Sequence, residues 1–359
     1  MLPSKKNSNT LVGVDIDVES VAAAAAGSGA DGVRGAKVPL AAGAYEGGEV
    51  VDVDAVGEAL EELFSREKLS KRVRLAVASP GVALRVVRLP LIEDPEQLKA
   101  AVRFQAQESI PMPLDSAVLD HQVIGAHIDD DGTRHVDVAV VAARRQTVEC
   151  LLRAARGAGL EPMGIDLAAF GMIRALAGGS SHPMAATAPG EGQPFVPATL
   201  YCSLGGVTNL AIACNFSCLF SRVAQFGVRD LAGDLAGDTG LTIEDAESWL
   251  LYVGFGRPLE EMEGDPATAA AVRGALESNL GRLADELRIS LDYYGTQEGA
   301  TPVQEVVLTG WGSAIPGIGE ALGAQLAREV TVRRPDALLA MPDPDAARMT
   351  VPFGLALEQ

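Results

Sequence analysis

The chain has 359 residues, room for two or more domains with sizeable cores. Hydrophobic residues make up 48% and aromatics only 4%, so Ala, Val and Leu must build those cores. A formal net charge of −19 argues against nucleic acid or an anionic lipid surface as a partner, since both need clustered Lys and Arg.

The opening "MLPSKKNSNT" is polar and has no hydrophobic signal core behind it. No apolar run approaches the ~18 residues of a membrane helix. The expectation is a cytoplasmic protein without a span of its own. Residues 11–25 read as two strands around a tight turn. A helix over 54–66, with Asp54 as its cap, presents Val56, Leu60, Leu63 and Phe64 on one face. "VRLAVASP" and "GVALRVVRLPLI" are extended. Asp94 followed by Pro95 opens a helix carrying Leu98, Ala101, Val102 and Ala106, and the prolines of "SIPMP" end it. "AVLDHQVIGAHI" and "HVDVAVVAA" form a strand pair around "DDDGT", which reads as a solvated hairpin tip and not a metal site. A helix with Val148, Leu151, Leu152 and Ala155 closes at Gly159, and a strand fragment with another helix follows.

Residues 181–197 form a Gly-, Pro- and Ala-rich linker. Beyond it, "ATLYCSLGGVTNLAIACN" restarts the pattern of strand, glycine turn, strand. Helices follow at Leu231–Leu235, Glu244–Leu251 and Gly274–Tyr294, the last with Leu276, Leu280, Leu283, Leu287 and Leu291 in one stripe. A strand "VQEVVLTG", a helix at "IPGIGEALGAQLA" and a short terminal helix in "VPFGLALEQ" complete the chain. The same module therefore occurs twice, a weak internal duplication. Cys150, Cys202, Cys214 and Cys218 contain no CxxC pair and read as free thiols, and the four histidines lack metal-ligand spacing. His121 and His127 read as structural or exposed, Trp249 and Tyr252 as core, and Arg333 and Arg334 as a solvated loop.

Three turns remain: "VDIDVES" at 14–20, "SLGGVTN" at 203–209 and "LTGWGS" at 308–313. Two facing hairpin turns can aim backbone N–H groups at phosphates, and a glycine turn nearby can approach a nucleoside. This arrangement resembles the actin-like ATPase superfamily. The ordered set "VGVDIDVESV", "LRVVRLPLIEDPEQLKAAVRFQAQESIPMPLDSAVLDHQVIG", "VDVAVVAARRQTVECLLRAARGAGLEPMGIDLAAFGMIRAL", "VVLTGWGSAIPGIGEALGAQLAREVTVRRP" and "FGLAL" is similar to the PilM family of type IV pilus assembly proteins, along nearly the whole chain.

The resemblance implies an α/β actin-like ATPase fold: two RNase H-like halves, with a 1C-type subdomain inserted in the first. It divides the chain into 1–81 (subdomain 1A), 82–163 (the insert), 164–180 (return to 1A), the linker, 198–335 (subdomains 2A and 2B) and 336–359 (a C-terminal return). The implied nucleotide positions are Asp15, Asp17, Ser203, Gly205, Gly206, Thr208, Gly310, Trp311 and Gly312. At these the sequence departs from the family: Asp17 and Trp311 stand where glycines are usual, and Ser203 where an Asp is. A lysine usual after the first turn is Ala22, and a Gly-Gly pair is Phe226–Gly227. The expectation is a degraded nucleotide site with no cofactor and no catalysis, Trp311 filling the place of adenine. The alternatives are an ATP- and Mg-binding ATPase of this or the FtsA type, which retains switching, and a small-molecule kinase. The implied function is a scaffold of the pilus inner-membrane platform. It would bind the N-terminal peptide of a PilN-like membrane protein, meet other platform or motor proteins, and sit at the inner face of the membrane through them. Leu89, Pro90, Phe104, Gln107, Ile110, Pro111 and Pro113 are the expected peptide contacts.

Overall fold

The structure, a computed structural model, describes residues 10–27, 32–129, 132–177, 196–297, 299–342 and 345–357. The linker read at 181–197 lies outside these except for Val196 and Pro197. Strands β1 (Val12–Ile16) and β2 (Ser20–Ala26) form the first hairpin, and β3 (Val33–Pro39) pairs with β2. A small ladder, β4 (Tyr45–Glu46) with β5 (Glu49–Val50), leads into α1 (Val53–Glu67). The cap of α1 is Asp52, whose carboxylate accepts the N–H groups of Asp54 and Ala55, so Asp54 sits in the first turn and not at the cap. Strand β6 (Arg72–Val77) then lies parallel to β1.

The inserted sheet comprises β7 (Ala83–Pro90), β8 (Ala117–Ile128) and β9 (Arg134–Arg144), in the order β7-β9-β8, with α2 (Pro95–Ser109) on one face. Alternation along β9 sorts its side chains: Val136, Val138 and Val140 pack with Val102 and Ala106 of α2, and Ala139, Val141 and Ala143 point the other way. Helix α3 (Arg145–Gly157) packs on α1, and β10 (Glu161–Leu167) adds parallel to β6, ahead of α4 (Ala168–Ala177). The small sheet thus ends at Arg144, and the stretch on to Met163 attaches to the first sheet.

The second half repeats the plan. Strands β11 (Ala198–Leu204), β12 (Thr208–Cys214) and β13 (Ser217–Ala224) are followed by α5 (Val228–Thr239), α6 (Ile243–Val253) and α7 (Pro266–Gly295). Then come β14 (Val303–Thr309), α8 (Ile318–Leu326) and β15 (Val330–Val332). The sheets read β3-β2-β1-β6-β10 and β13-β12-β11-β14-β15, with the same sequence of antiparallel and parallel neighbours. That is the duplication read from the sequence.

The chain ends with α9 (Asp345–Arg348) and α10 (Thr350–Ala356), which return to the first half. Alanine is a helix former, yet Ala22–Ala26 is a strand. Ala23 and Ala25 join the core beneath the sheet, while Ala22 and Ala24 contact Met349 and Phe353 of the returning segment. Burial on both faces overrides propensity, and the small side chains let the return lie close. All four cysteines are free thiols.

Candidate functional site

The first two of the three turns touch. Asp17, in the turn of β1–β2, accepts the backbone N–H of Gly206 at 2.9 Å (Oδ2) and 3.1 Å (Oδ1), and that of Val18 at 2.8 Å. A Cβ on Gly206 would lie 2.3 Å from Asp17 Oδ1 and 2.0 Å from Val18 Cγ2, so this glycine admits the opposite hairpin. Burial pushes the Asp17 carboxyl above its ordinary range, and the two N–H groups oppose that rise. Asp15, two residues earlier on the same face, is pushed up to about 8 by burial and then by the charge of Asp17. The space left among Asp15, Asp17, Ser203, Gly310, Trp311 and Arg348 is about 40 Å³.

The third turn packs on the same place. Gly310 has φ +80° and lies against the backbone of Leu204, while a Cβ on Gly312 would meet Val228 Cγ2 at 2.3 Å. Both glycines answer to close packing inside the second half. Trp311 between them is buried, and the Arg348 guanidinium lies 5.4 Å from its ring centre. The tryptophan therefore faces the cavity of Asp15 and the C-terminal return. A separate gap of about 20 Å³, walled by Phe226, Leu276, Asn279 and Ile315, does not include it. Thr208 is structural: it is fully buried and donates to the Phe226 carbonyl at 2.9 Å.

Ion pairs tie the parts around this cleft. Glu19 binds Arg229 of α5 at 2.6 Å and Arg348 of α9 at 3.2 Å. Burial pushes Glu19 up, but hydrogen bonds with Glu247 and Arg229 and the charge of Arg348 outweigh it and hold the carboxyl low. Glu247 of α6 goes the other way, to about 8, through burial and then its contact with Glu19. Among the described residues no group of three or more His, Cys, Asp or Glu is placed to hold a metal ion.

A second feature is a trough between the insert and the first half, along the free edge of β8. Its first chamber, about 400 Å³, is walled by Val118, Asp120 and Val141 of the insert and by Leu152, Met163 and Phe170 of the first half. Its second chamber, about 510 Å³, shares Gln122, Ala139 and Phe170 with the first. Beyond them it reaches Arg174, Leu357 and the β12–β13 turn at Phe216. Arg174 pairs with Asp166 and donates to the Gly354 carbonyl at 3.0 Å, fixing α4 to β10 and α10 under the trough.

None of the seven peptide contacts expected from sequence lines either chamber. Leu89 and Ile110 are buried in the core that the insert shares with α2. Phe104, Gln107, Pro90, Pro111 and Pro113 are exposed on α2 and at the ends of the insert's elements. Helix α2 covers the face of the small sheet turned away from the trough. The alternation of β9 was the available signal, since its Ala139, Val141 and Ala143 face is apolar yet is not the face α2 covers. His127 and Arg88 both bind Asp137, His135 binds Asp129, and Arg333 binds Glu305 of β14 in place of a solvated position.

Residues 13–358 match the model of a family described as type IV pilus assembly protein PilM. The chain is similar to a structure of a PilM-PilN type IV pilus biogenesis complex, with 23% identity, 97% of each chain covered and a TM-score of 0.74. It is also similar to the ethanolamine utilization protein EutJ from Carboxydothermus hydrogenoformans (16% identity, 96% of this chain and 88% of that one, TM-score 0.55). The same holds for MreB5 of Spiroplasma citri bound to ADP (13% identity, 97% and 95% covered, TM-score 0.55). These likenesses are of fold, the actin-like one.

Proposed function

Because this chain belongs to the PilM family of type IV pilus assembly proteins, we propose that it is a scaffold of the inner-membrane assembly platform that holds the cytoplasmic N-terminal segment of a PilN-like membrane protein. The observation that carries this reading is the apolar trough on the uncovered face of the insert, bordered by two edge strands, β8 and β10. An edge strand offers unpaired main-chain groups to an extended peptide, and the chambers take its apolar side chains. That a similar fold was solved in a complex named PilM-PilN supports the choice of occupant. Among the described residues no helix is long and apolar enough to cross a membrane. In this reading the protein is recruited to the inner face by its partners, with further platform or motor proteins bound elsewhere.

The test is calorimetric titration with a synthetic peptide of the first dozen residues of the PilN-like protein of the same organism. Micromolar binding is expected. Met163→Glu, a charge on the wall of the first chamber, abolishes it, and Phe104→Ala on the far face of the insert leaves it unchanged. A peptide that does not bind the wild-type chain overturns the reading.

A second observation bears on the nucleotide. Asp17 already occupies the Gly206 N–H with a carboxylate, and the residual 40 Å³ compares with ~300–1,000 Å³ for ordinary small-molecule sites. We read the residues present as not fitting a nucleoside triphosphate in this closed arrangement, and we derive no step through one. Titration with ATP and Mg²⁺ is expected to show no heat for the wild type. Binding is expected for the combined change Asp17→Gly, Ser203→Asp and Trp311→Gly. Micromolar binding by the wild type contradicts this reading.

A further inference from the structure

The trough has a third wall. Strand β8 runs past both chambers from Val118 to Ile124, about 20 Å at ~3.3 Å per residue, the length of an extended peptide of about seven residues. At the far end the wall no longer belongs to the first half or the insert. It is the β12–β13 turn of the second half, where Cys214 pairs with Ser217 and leaves only Asn215 and Phe216 in the loop. Asn215 has φ +54°, the left-handed conformation that a two-residue hairpin loop uses. So short a loop holds its aromatic side chain in a fixed place. Phe216 is 49% exposed. An aromatic side chain left open at the mouth of one chamber is what a buried apolar side chain of a ligand would cover.

We propose that the second chamber is a distinct subsite for a bulky apolar side chain of the same bound segment, and that Phe216 makes the second half part of the binding site. This rests on the peptide reading above. It adds that the occupant bridges the insert and the second half. Phe170 and Leu357 form the floor, and Arg174, held by Asp166 and the Gly354 carbonyl, keeps that floor rigid.

The experiment uses the full chain and the synthetic peptide of the PilN-like N-terminus, in two arms. Phe216→Ser changes an exposed side chain and leaves the thermal melt in place. It should weaken binding about tenfold. On peptide addition, hydrogen exchange should slow at the amides of residues 214–218, in the second half. If Met163→Glu abolishes binding while Phe216→Ser binds as wild type and those amides are unprotected, the third wall is wrong and the trough reading stands. If the wild type does not bind, the trough reading has failed, and this one with it.

Discussion

Asp17 behaves as an anion tethered to the protein. A free phosphate between two hairpins would be held by backbone N–H groups. Here one of those groups, on Gly206, is bound to a carboxylate that the chain supplies itself. The arrangement costs desolvation, which is why the carboxyl is pushed up, but it matches the N–H groups of Gly206 and Val18. Removing the carboxylate alone strands the N–H groups of Gly206 and Val18 in the cleft. Asp17→Ala should therefore lower stability by about 1–3 kcal/mol in a urea melt. An unchanged midpoint would mean that Asp17 does not hold the turns together. Trp311 belongs to the same scale. Its neighbours Gly310 and Gly312 keep their places because Leu204 and Val228 press on them, so the tryptophan was free to face Arg348 and the cleft. That orientation needs contacts from residues more than thirty positions away, and no local pattern in "LTGWGS" contains them.

At the scale of elements the return of the C-terminus decides most. Helix α10 lies across β1 and α4, and three glycines make the approach close. A Cβ on Gly13 would fall 1.9 Å from the Pro352 carbonyl, and one on Gly354 would fall 1.8 Å from the Gly171 carbonyl. These are backbone contacts that cannot yield, so Gly354→Ala should cost at least about 1–3 kcal/mol and unseat α10. A drop in the thermal midpoint together with faster exchange at residues 350–356 is the expected result; a native-like melt refutes it. The periodic elements were legible in sequence: the leucine stripe of α7, the Asp94–Pro95 start of α2, and both hairpins that open the halves. Strand β13, edge strands β3 and β15 and the short α9 were not, because each is fixed by pairing or packing with distant chain and carries little periodicity of its own. Helix α7 starts at Pro266, capped by Asp265, eight residues before the leucine stripe suggested, since its first turns are built largely of alanine. The trough was not read from the sequence for a related reason. Prolines around α2 mark where a helix stops and say nothing about which face of the sheet stays uncovered.

At the scale of the whole molecule, the two halves and the returning terminus are joined at a cluster of charges. Asp15 and Glu247 are both pushed up to about 8, so the folded chain takes up protons that the unfolded chain has released. Between the ordinary carboxylate range and about 8 the native state binds more protons, and stability must fall as pH rises through that window. Glu19 is held low and acts oppositely, adding stability as pH rises, but only below its unfolded value, outside the window. The groups facing Glu247 come from three elements: Glu19 of the first hairpin, Arg229 of α5 and Arg348 of α9. The two arginines limit the rise without reversing it. The urea midpoint should therefore decrease between about pH 5.5 and pH 8.5. Glu247→Gln keeps a permanent donor toward Glu19, and Asp15→Asn mimics the protonated acid. Each should flatten that decrease, and the double variant should flatten it further because the two sites sit on different halves. A wild-type midpoint that is level or rises across the same range would show that these carboxyls titrate as exposed groups and that the cleft stands open in solution.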